Sequence, residues 1–331
     1  MQLHIRFLFF KCLLVLYLFF ANLIIKAQQV PQYSQMALRP ALFNPAAVSN
    51  AHAISLEGLL RGQWTGISGW PFSQTVMANM PLPGISSYGG LLLSNDNAGA
   101  LRSTNFQLRY AYAKKLQNKQ RLAFGIAGGI MQVGLNGDEL ITPDGNYSGS
   151  IDHIDPILPA ITTNAVAFEV GAGVYWNNQK WYAGLTTERA IATKTRFNFE
   201  NGNLLLKNQL HTTFNVGTEF WLTNIITLHP NAVVKTNFRV LQTEALLIAA
   251  FSEIYQIGIG FRGYNPNSID AFLLYGGILL NKKLSVGYTY DITLSGLRNT
   301  SSGSHELGIK YQKPLLFKSA KGKTLYNPRF L

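Results

Sequence analysis

Acidic side chains are concentrated in one segment of the sequence, between residues 134 and 163. They are Asp138, Glu139, Asp144, Asp152 and Asp155. Carboxylate oxygens are ligands that Ca²⁺ prefers, but these acids lack the Asp-x-Asp-x-Asp-Gly spacing of a known calcium loop. A solvated acidic loop is the alternative interpretation. We treat the five residues as candidates for contacting a partner protein.

Catalytic and metal-binding arrangements are not indicated. The histidines, at positions 4, 52, 153, 211, 229 and 305, have no metal-ligand spacing, and Cys12 is the single cysteine. The glycines at 125, 128, 129, 171 and 173 lie in alternating segments rather than in a phosphate-binding turn. We therefore predict a protein without enzymatic activity, with no catalytic, cofactor-binding or metal-binding residues and no cofactor.

A second set of charged residues lies in segments where apolar and polar residues alternate. It comprises Glu57, Arg61, Arg109, Glu169, Glu219, Lys235, Arg262, Asp291, Glu306 and Lys310. Because alternate side chains of a strand face opposite sides, these residues would point into a barrel. An ion-selective pore tends to show one sign of charge, whereas both signs are present here. The pattern predicts ion pairs and a largely filled lumen, with Arg61 as the expected partner of Glu306.

The period-two alternation extends from residue 52 to residue 312 and predicts fourteen strands. We expect them at 52–63, 72–81, 87–94, 102–115, 120–133, 164–176, 179–190, 206–222, 225–238, 242–251, 254–263, 269–280, 282–292 and 303–312. Tight connections such as Asn177-Asn178 alternate with mostly longer ones, among them 94–101, 134–163 and 190–205. Short periplasmic turns and longer outer loops are typical of outer-membrane barrels. The predicted fold class is all-β, a transmembrane antiparallel β-barrel of about 14 strands with short periplasmic N- and C-terminal segments.

Composition agrees with a membrane-embedded wall. The chain has 331 residues, of which only 13% are charged, about half of what soluble domains carry. Residues 1–27, with Arg6, Lys11 and an apolar run, are typical of a signal peptide, although an uncleaved anchor is an alternative. Without Arg6, Lys11 and Lys26 the formal charge of +12 falls to about +9 (12 − 3), and the tail, residues 313–331, carries five of these positive charges with no acid. This is not the aromatic and basic surface of a nucleic-acid-binding protein. We expect no nucleic-acid partner.

Three further expectations concern particular segments. Residues 28–51, with the apolar stretch Phe43-Asn44-Pro45-Ala46, are expected to pack into the periplasmic mouth of the barrel (residues 52–312) as a plug. His229-Pro230 places a proline in a strand, which predicts a β-bulge. Ala271 to Leu280 is apolar on both faces, so its inner face would pack against a plug, a partner or neighbouring lumen side chains.

An ordered series of short motifs supports a family resemblance. The series is Gln32-Tyr33-Ser34-Gln35, Phe43-Asn44-Pro45-Ala46, Arg61-Gly62-Gln63-Trp64, Leu228-His229-Pro230 with Lys235, Val286-Gly287-Tyr288-Thr289-Tyr290-Asp291 and Gly303-Ser304-His305-Glu306-Leu307. It resembles the PorP/SprF family of the Bacteroidetes type IX secretion system. Val30-Pro31 stands where the commoner form has an acid and a proline. The resemblance covers nearly all of the chain after residue 27.

The resemblance implies a non-enzymatic, integral outer-membrane protein that belongs to, or assists, type IX secretion. Its partners would be outer-membrane lipid and secretion components or a large secreted adhesin, with gliding motility as a possible readout. The acidic loop would contact a partner outside the cell, and the basic tail ending Tyr326-Asn327-Pro328-Arg329-Phe330 would contact components beneath the membrane. A channel for a small or hydrophobic solute is the alternative. The oligomeric state and the particular family copy are left open by the sequence.

Overall fold

The protein is all-β in a computed structural model that describes residues 31–51, 53–82, 86–148, 151–155, 158–159, 161–190, 194–199, 202–265 and 268–313. The strands are β1 Ile54–Gly62, β2 Phe72–Leu82, β3 Ser87–Ala98, β4 Leu101–Lys115, β5 Arg121–Leu135, β6 Thr163–Asn177, β7 Trp181–Glu188, β8 Lys194–Phe199, β9 Gly202–Lys207, β10 His211–Thr218, β11 Phe220–Trp221, β12 Ile226–Thr236, β13 Leu241–Phe251, β14 Tyr255–Asn265, β15 Ser268–Asn281, β16 Leu284–Thr293 and β17 Ser304–Lys313. Short 3₁₀ helices lie at Met36–Leu38, Pro40–Leu42, Pro45–Asn50, Gly137–Glu139 and Gly296–Asn299. Within the described residues, no helix has the length and apolar character needed to span a bilayer.

The strands form a closed antiparallel barrel. A 15-stranded sheet runs from β10 through β1 and β17 to β11, and β10 also pairs with β12. Since β11 continues β10 in the same register against β12, the described wall has fourteen strands. Closure between β1 and β17 aligns Arg61 with Glu306 and Glu57 with Lys310. The predicted closed barrel is therefore confirmed.

The two ends of the barrel differ. The turn end, where β1 begins and β17 ends, carries tight connections such as 116–120 and 252–254. Asn118, Lys119, Ser252 and Glu253 have positive φ there, as the two-residue turns that suit strand twist require. The opposite end, here called the loop end, carries the long connections 63–71, 136–162, 189–210 and 294–303.

The wall has one apolar surface and one mixed surface. Large side chains such as Ile126 and Phe168 are 62% and 70% exposed and face away from the lumen. Such an outward apolar band matches the hydrocarbon layer of a membrane. The hydrophobic core lies inside, where Leu246, Ile248 and Tyr275 pack on Met36 and Phe43 of the N-terminal segment. The inner face of β15 therefore packs against a plug, one of the alternatives predicted for it.

The connection between β7 and β10 differs from the prediction. Residues 190–205 were expected to be a loop followed by a strand at 206–222, but β8 and β9 form a separate hairpin and β10 begins only at His211. Phe197, 1% exposed, packs on Met131 and Ala167 at the loop end. The hairpin pairs Lys194 with Lys207 and Phe199 with Gly202, and its apolar residues Leu204 and Leu206 pack in the same cluster as Phe197.

The predicted bulge at His229-Pro230 is wrong. β12 and β13 pair without a register shift through Pro230, which lies opposite Leu247. The irregularity lies on the other side, where the eighth wall strand is interrupted between Thr218 and Phe220. A proline has no N–H to donate, so Pro230 cannot complete the hydrogen-bonded ladder with the neighbouring strand. That strand is interrupted opposite Pro230, while β12 itself continues without a bulge.

The predicted long connection at 94–101 is also wrong. β3 extends to Ala98 and only Gly99 and Ala100 separate it from β4. Gly99 has a φ of 54° and accommodates this tight turn. The polar residues from 94 to 97 had suggested a loop, but they continue the β3–β4 ladder, in which Thr104 donates to the Asn95 side chain.

Candidate functional site

Residues 31–51, here called the plug, fill the lumen along its length. At the loop end the Gln63 side chain donates to Gln32 at 3.2 Å, and at the turn end the Asn177 side chain donates to Asn50 at 3.3 Å. Most plug residues between these points are buried. The plug therefore reaches from one end of the barrel to the other and is not confined to the turn-end mouth.

Local sequence explains why the plug forms tight turns and not a strand. Pro40 and Pro45 begin two of its 3₁₀ helices, and the Asn44 side chain accepts a hydrogen bond from the Ala46 N–H while donating to the Val174 carbonyl at 3.1 Å. The wall accommodates the backbone at Gly125, where an added Cβ would collide with Ala46. Glycine at this position lets the plug approach the wall directly.

A charged cluster holds the plug in the loop-end half of the lumen. This cluster, called the clamp, comprises Ser34, Gln35, Arg61, Glu244, Arg262, Asp291 and Glu306. Arg61 binds Asp291 at 2.7 Å and Glu306 at 3.2 Å. Arg262 binds Asp291 at 2.9 Å and Glu244 at 2.8 Å. The predicted Arg61–Glu306 pair is confirmed, and it belongs to a larger network.

The plug completes this network with hydrogen bonds of its own. The backbone N–H groups of Ser34 and Gln35 donate to the two Glu306 oxygens at 2.6 and 2.9 Å. The Ser34 hydroxyl donates to Asp291 and accepts from both clamp arginines at 2.7 Å. Each clamp charge is 7% exposed or less. Buried charges are tolerated only when they are paired and hydrogen-bonded. The plug therefore stabilises the clamp by supplying hydrogen bonds, and the clamp in turn holds the plug in the lumen.

Other predicted lumen charges also contact the plug. Glu57 binds Arg39 of the plug at 2.8 Å and Lys310 of β17 at 3.4 Å. Arg109 donates to the carbonyls of Ala41 and Leu42. A guanidinium has five N–H donors, so Arg109 fixes the plug backbone while also donating to the Gln107 side chain.

Glu169 and Glu219 have different surroundings. Glu169 is buried, binds Arg189 at 2.6 Å and accepts from Asn105 at 2.6 Å. Glu219, expected in the lumen, lies at the turn-end rim in the interruption of the eighth wall strand and accepts from the Trp221 indole. It forms no ion pair within the part of the chain that the structure describes. The strand is interrupted opposite Pro230, so the alternation that would turn Glu219 towards the lumen ends before that residue.

Two cavities flank the plug. The loop-end cavity, called the chamber, has a volume of about 930 Å³ and is lined by Tyr33, Met36 and Phe43 of the plug and by wall residues including Asp96 and Asn105. A second cavity of about 340 Å³ lies on the turn-end side, beside Arg39 and Tyr182. Met36 lines the first and its neighbour Ala37 the second, so the plug separates the two spaces.

Tyr33 connects the plug to the chamber wall. Its hydroxyl and that of Thr75 lie 2.7 Å apart in a hydrogen bond. The aromatic ring itself belongs to the apolar cluster with Met36 and Phe43.

The predicted partner-binding residues fall into two groups. Asp138, Glu139, Asp144, Asp152 and Asp155 are exposed at the loop end. Glu139 lies 3.7 Å from Arg102, and Asp152 accepts from the Ile154 N–H. No cluster of three potential metal ligands occurs in the described part of the chain. Tyr326, Asn327, Pro328, Arg329 and Phe330, like the predicted signal peptide at 1–27, lie outside the described residues.

Sequence reasoning missed the plug residues that bind the wall. Ser34, Gln35, Arg39 and Asn44 contact wall residues far away in the chain. The stretch from Gln32 to Gln35 carried part of the family resemblance, but four residues without periodicity do not reveal their partners. Glu244 and Arg262 lie directly opposite each other across β13 and β14, so strand register could have paired them.

A closed barrel with an apolar outer surface and a plugged lumen defines an integral protein of the outer membrane. The family model described as "Type IX secretion system membrane protein PorP/SprF" matches residues 25–311. The chain therefore belongs to the PorP/SprF family of type IX secretion system membrane proteins. None of the curated proteins matches the chain.

Solved structures with a similar fold are outer-membrane barrels of low sequence identity. "CymD monoaromatic hydrocarbon channel" is 11% identical with a TM-score of 0.50, covering 88% of this chain and 95% of its own. A Pseudomonas aeruginosa FadL homologue is 10% identical with a TM-score of 0.49, covering 86% and 95%. The Ralstonia pickettii toluene transporter TbuX is 9% identical with a TM-score of 0.47, covering 86% and 94%. At these identities the likeness concerns the fold alone.

Proposed function

We propose that this protein is a non-enzymatic partner in type IX secretion that docks a protein and does not conduct one. It would support the secretion or surface retention of a partner protein such as an adhesin. The observation that carries the proposal is the plug, which fills the lumen. It is tied to the wall by the buried Arg39–Glu57 ion pair and by the hydrogen bonds of Ser34 and Gln35 to wall carboxylates. A polypeptide cannot pass through a lumen occupied in this way, so a secretion role has to use the surfaces of the barrel.

The surfaces proposed for docking follow from the orientation of the barrel. With the loop end outside the cell, the acidic loop from Asp138 to Asp155 would face a secreted partner. The basic tail with Arg329 and Phe330 would meet secretion components in the periplasm. Charge complementarity steers such encounters and sets partner choice more than it sets affinity.

Deleting the gene and comparing secreted proteins by quantitative mass spectrometry tests this function. We expect loss of one or more type IX substrates from the medium or the cell surface, together with reduced spreading if the substrate is a motility adhesin. Restoring the intact gene should recover both. Unchanged secretion and surface display in the deletion strain would refute the proposal.

Two variants separate the proposed docking surfaces. A variant with all five loop acids changed to Asn or Gln should reduce display of the partner while leaving the barrel folded. A truncation after Lys313 should reduce co-purification of periplasmic secretion components. An Asn95→Ala variant, altered at an exposed ladder hydrogen bond away from both surfaces, is the matched control. Full activity of both altered proteins would remove these surfaces from the proposal.

A channel for a small or hydrophobic solute is the second candidate, and the two cavities favour it. Displacement of the plug would join the spaces of about 930 and 340 Å³ that it now separates. Planar-bilayer recording of the purified protein distinguishes the candidates. We expect a closed barrel, and a steady large conductance of the intact protein would favour the channel.

A further inference from the structure

The polar wall of the chamber has hydrogen-bond acceptors that lack a partner among the described residues. Asp96 lies on β3 and Asn105 on β4, and both line the cavity. Asp96 Oδ1 and Asn105 Oδ1 are buried and have no hydrogen-bond partner within the described residues. Elsewhere in the lumen, acids such as Asp291 and Glu306 are ion-paired. An unpartnered buried acceptor costs free energy that a ligand carrying a donor would recover.

Most of the acids that line the chamber have no ion-pair partner among the described residues. Besides Asp96, the acids Glu188 and Asp270 line it, and neither forms an ion pair within the described part of the chain. Glu169 also lines it and is neutralised by Arg189. A cationic ligand would therefore meet carboxylates that form no close ion pair within the described residues.

The basic residues that line the chamber are mostly engaged elsewhere. Arg109 is held by plug carbonyls, and Arg102 pairs with Glu139 while its side chain is 61% exposed. Arg239 lies exposed in the connection between β12 and β13, at the mouth. The lining carries four arginines and four acids, so its charges balance overall. A cation would be attracted only near carboxylates without an ion-pair partner in the described structure, such as Asp96.

The floor of the chamber is apolar and rigid. Tyr33, Met36 and Phe43 of the plug form it together with Leu92 of β3, and all four belong to one buried cluster. A volume of about 930 Å³ falls within the usual range of small-molecule sites, roughly 300 to 1,000 Å³. The combination of an apolar floor with a few convergent acceptors is the common form of such a site.

We propose that the chamber binds a small amphiphilic amine. Its ammonium group would donate to Asp96 and Asn105, and its apolar body would lie on the plug residues of the floor. The site opens at the loop end and requires the plug to be seated, since three floor residues come from it. This binding function is independent of the secretion role and would hold whichever partner the barrel docks.

Equilibrium dialysis of the detergent-purified full-length protein against labelled 2-phenylethylamine tests the proposal. We expect saturable binding of one probe per protein. The neutral analogue 2-phenylethanol and the anionic analogue 3-phenylpropanoate should bind at least about tenfold more weakly, since each lacks the charged donor. Equal binding of all three probes, or no binding of the amine, would overturn the proposal.

Substitutions locate the bound probe. Asp96→Asn keeps the shape of the side chain and removes its charge, so amine affinity should fall about tenfold or more. Asp144→Asn removes an exposed acid that does not line the chamber, and its affinity should equal that of the native protein. A gel shift between heated and unheated samples verifies that each variant is a folded barrel. Unaltered amine binding by folded Asp96→Asn protein would place the probe elsewhere and refute the assignment.

Discussion

The clamp and the chamber are both lined by carboxylates, but these carboxylates have different partners. In the clamp, Asp291 and Glu306 both pair with Arg61, and Asp291 also pairs with Arg262. The polar groups of Ser34 and Gln35 donate further hydrogen bonds to them. In the chamber, Asp96 has an oxygen without a partner in the described structure. The first arrangement uses its charges to hold the plug, whereas the second leaves charge available to something else.

The difference in partners distinguishes carboxylates that stabilise the barrel from carboxylates that a ligand could bind. Buried ion pairs are costly to assemble and very costly to break on one side, so the paired carboxylates of the clamp resist change. An acceptor without a partner lowers stability in the empty protein, and a ligand that donates to it would recover that free energy. The two regions should therefore respond in opposite directions when a charge is removed.

Removal of a clamp arginine should have the largest effect. Arg61→Met leaves Asp291 and Glu306 short of a cation in a site where the arginine is 1% exposed. Breaking one side of a buried pair costs about 3–5 kcal/mol. Urea unfolding in detergent, followed by tryptophan fluorescence, should show a loss of this size, and bilayer recordings should show openings as the plug loosens.

The exposed pair of Arg102 with Glu139 provides the control for this variant. These side chains are 61% and 45% exposed and lie 3.7 Å apart. A surface pair contributes under about 1 kcal/mol, so Arg102→Met should unfold almost as the native protein does. Equal losses in the two variants would mean that the clamp does not hold the plug.

Steric exclusion of the plug should have the next largest effect. In Gly125→Ala the new methyl group would collide with the backbone of Ala46, so either the wall or the plug has to move. Overpacking of this kind costs about 1–3 kcal/mol. Gly128→Ala on the same strand meets nothing within 4 Å and is the matched control. Limited proteolysis should cleave the plug faster in the first variant alone, and equal cleavage would contradict the seating described for Ala46.

A smaller loss should follow removal of the Ser34 hydroxyl. Ser34→Ala deletes the group that joins Asp291 to both clamp arginines, at a cost of about 2 kcal/mol for hydrogen bonds to charged partners. Ser49→Ala removes a buried plug hydroxyl that has no partner in the described residues, so it should be neutral or slightly stabilising. Urea midpoints measure both variants. A Ser49→Ala loss as large as that of Ser34→Ala would show that the hydroxyl contacts do not matter.

The wall was predictable because its signal is repeated in every strand. Period-two alternation and turn residues gave the barrel and its closure, and closure brought Arg61 opposite Glu306. The predictions of a loop at 94–101 and of a bulge at Pro230 were wrong. Polar residues occur in strands as well as in loops, and a proline can interrupt the neighbouring strand instead of causing a bulge in its own. In both places the neighbouring strand, which local sequence does not reveal, decided the outcome.

The plug contacts were much less predictable. The sequence indicated a plug from its apolar content, but Ser34 and Arg39 flank a short 3₁₀ helix and belong to no repeating pattern. Their partners are determined by the position of the whole segment inside a finished barrel. The chamber likewise exists only after the plug, β3 and β4 meet, so Asp96 had no feature in the sequence that distinguished it from an ordinary loop acid.

The smallest expected effect has the opposite sign. Asp96→Asn removes a partly uncompensated carboxylate without changing side-chain shape, so the empty protein should gain up to about 1 kcal/mol in urea unfolding. Glu306→Gln, the same chemical change in the clamp, removes a charge that Arg61 and the plug N–H groups bind and should destabilise the barrel. Added 2-phenylethylamine should then stabilise the native protein and leave Asp96→Asn unaffected, because a ligand stabilises only the state that binds it. A destabilised Asp96→Asn variant would mean that Asp96, like the clamp acids, serves the structure of the barrel.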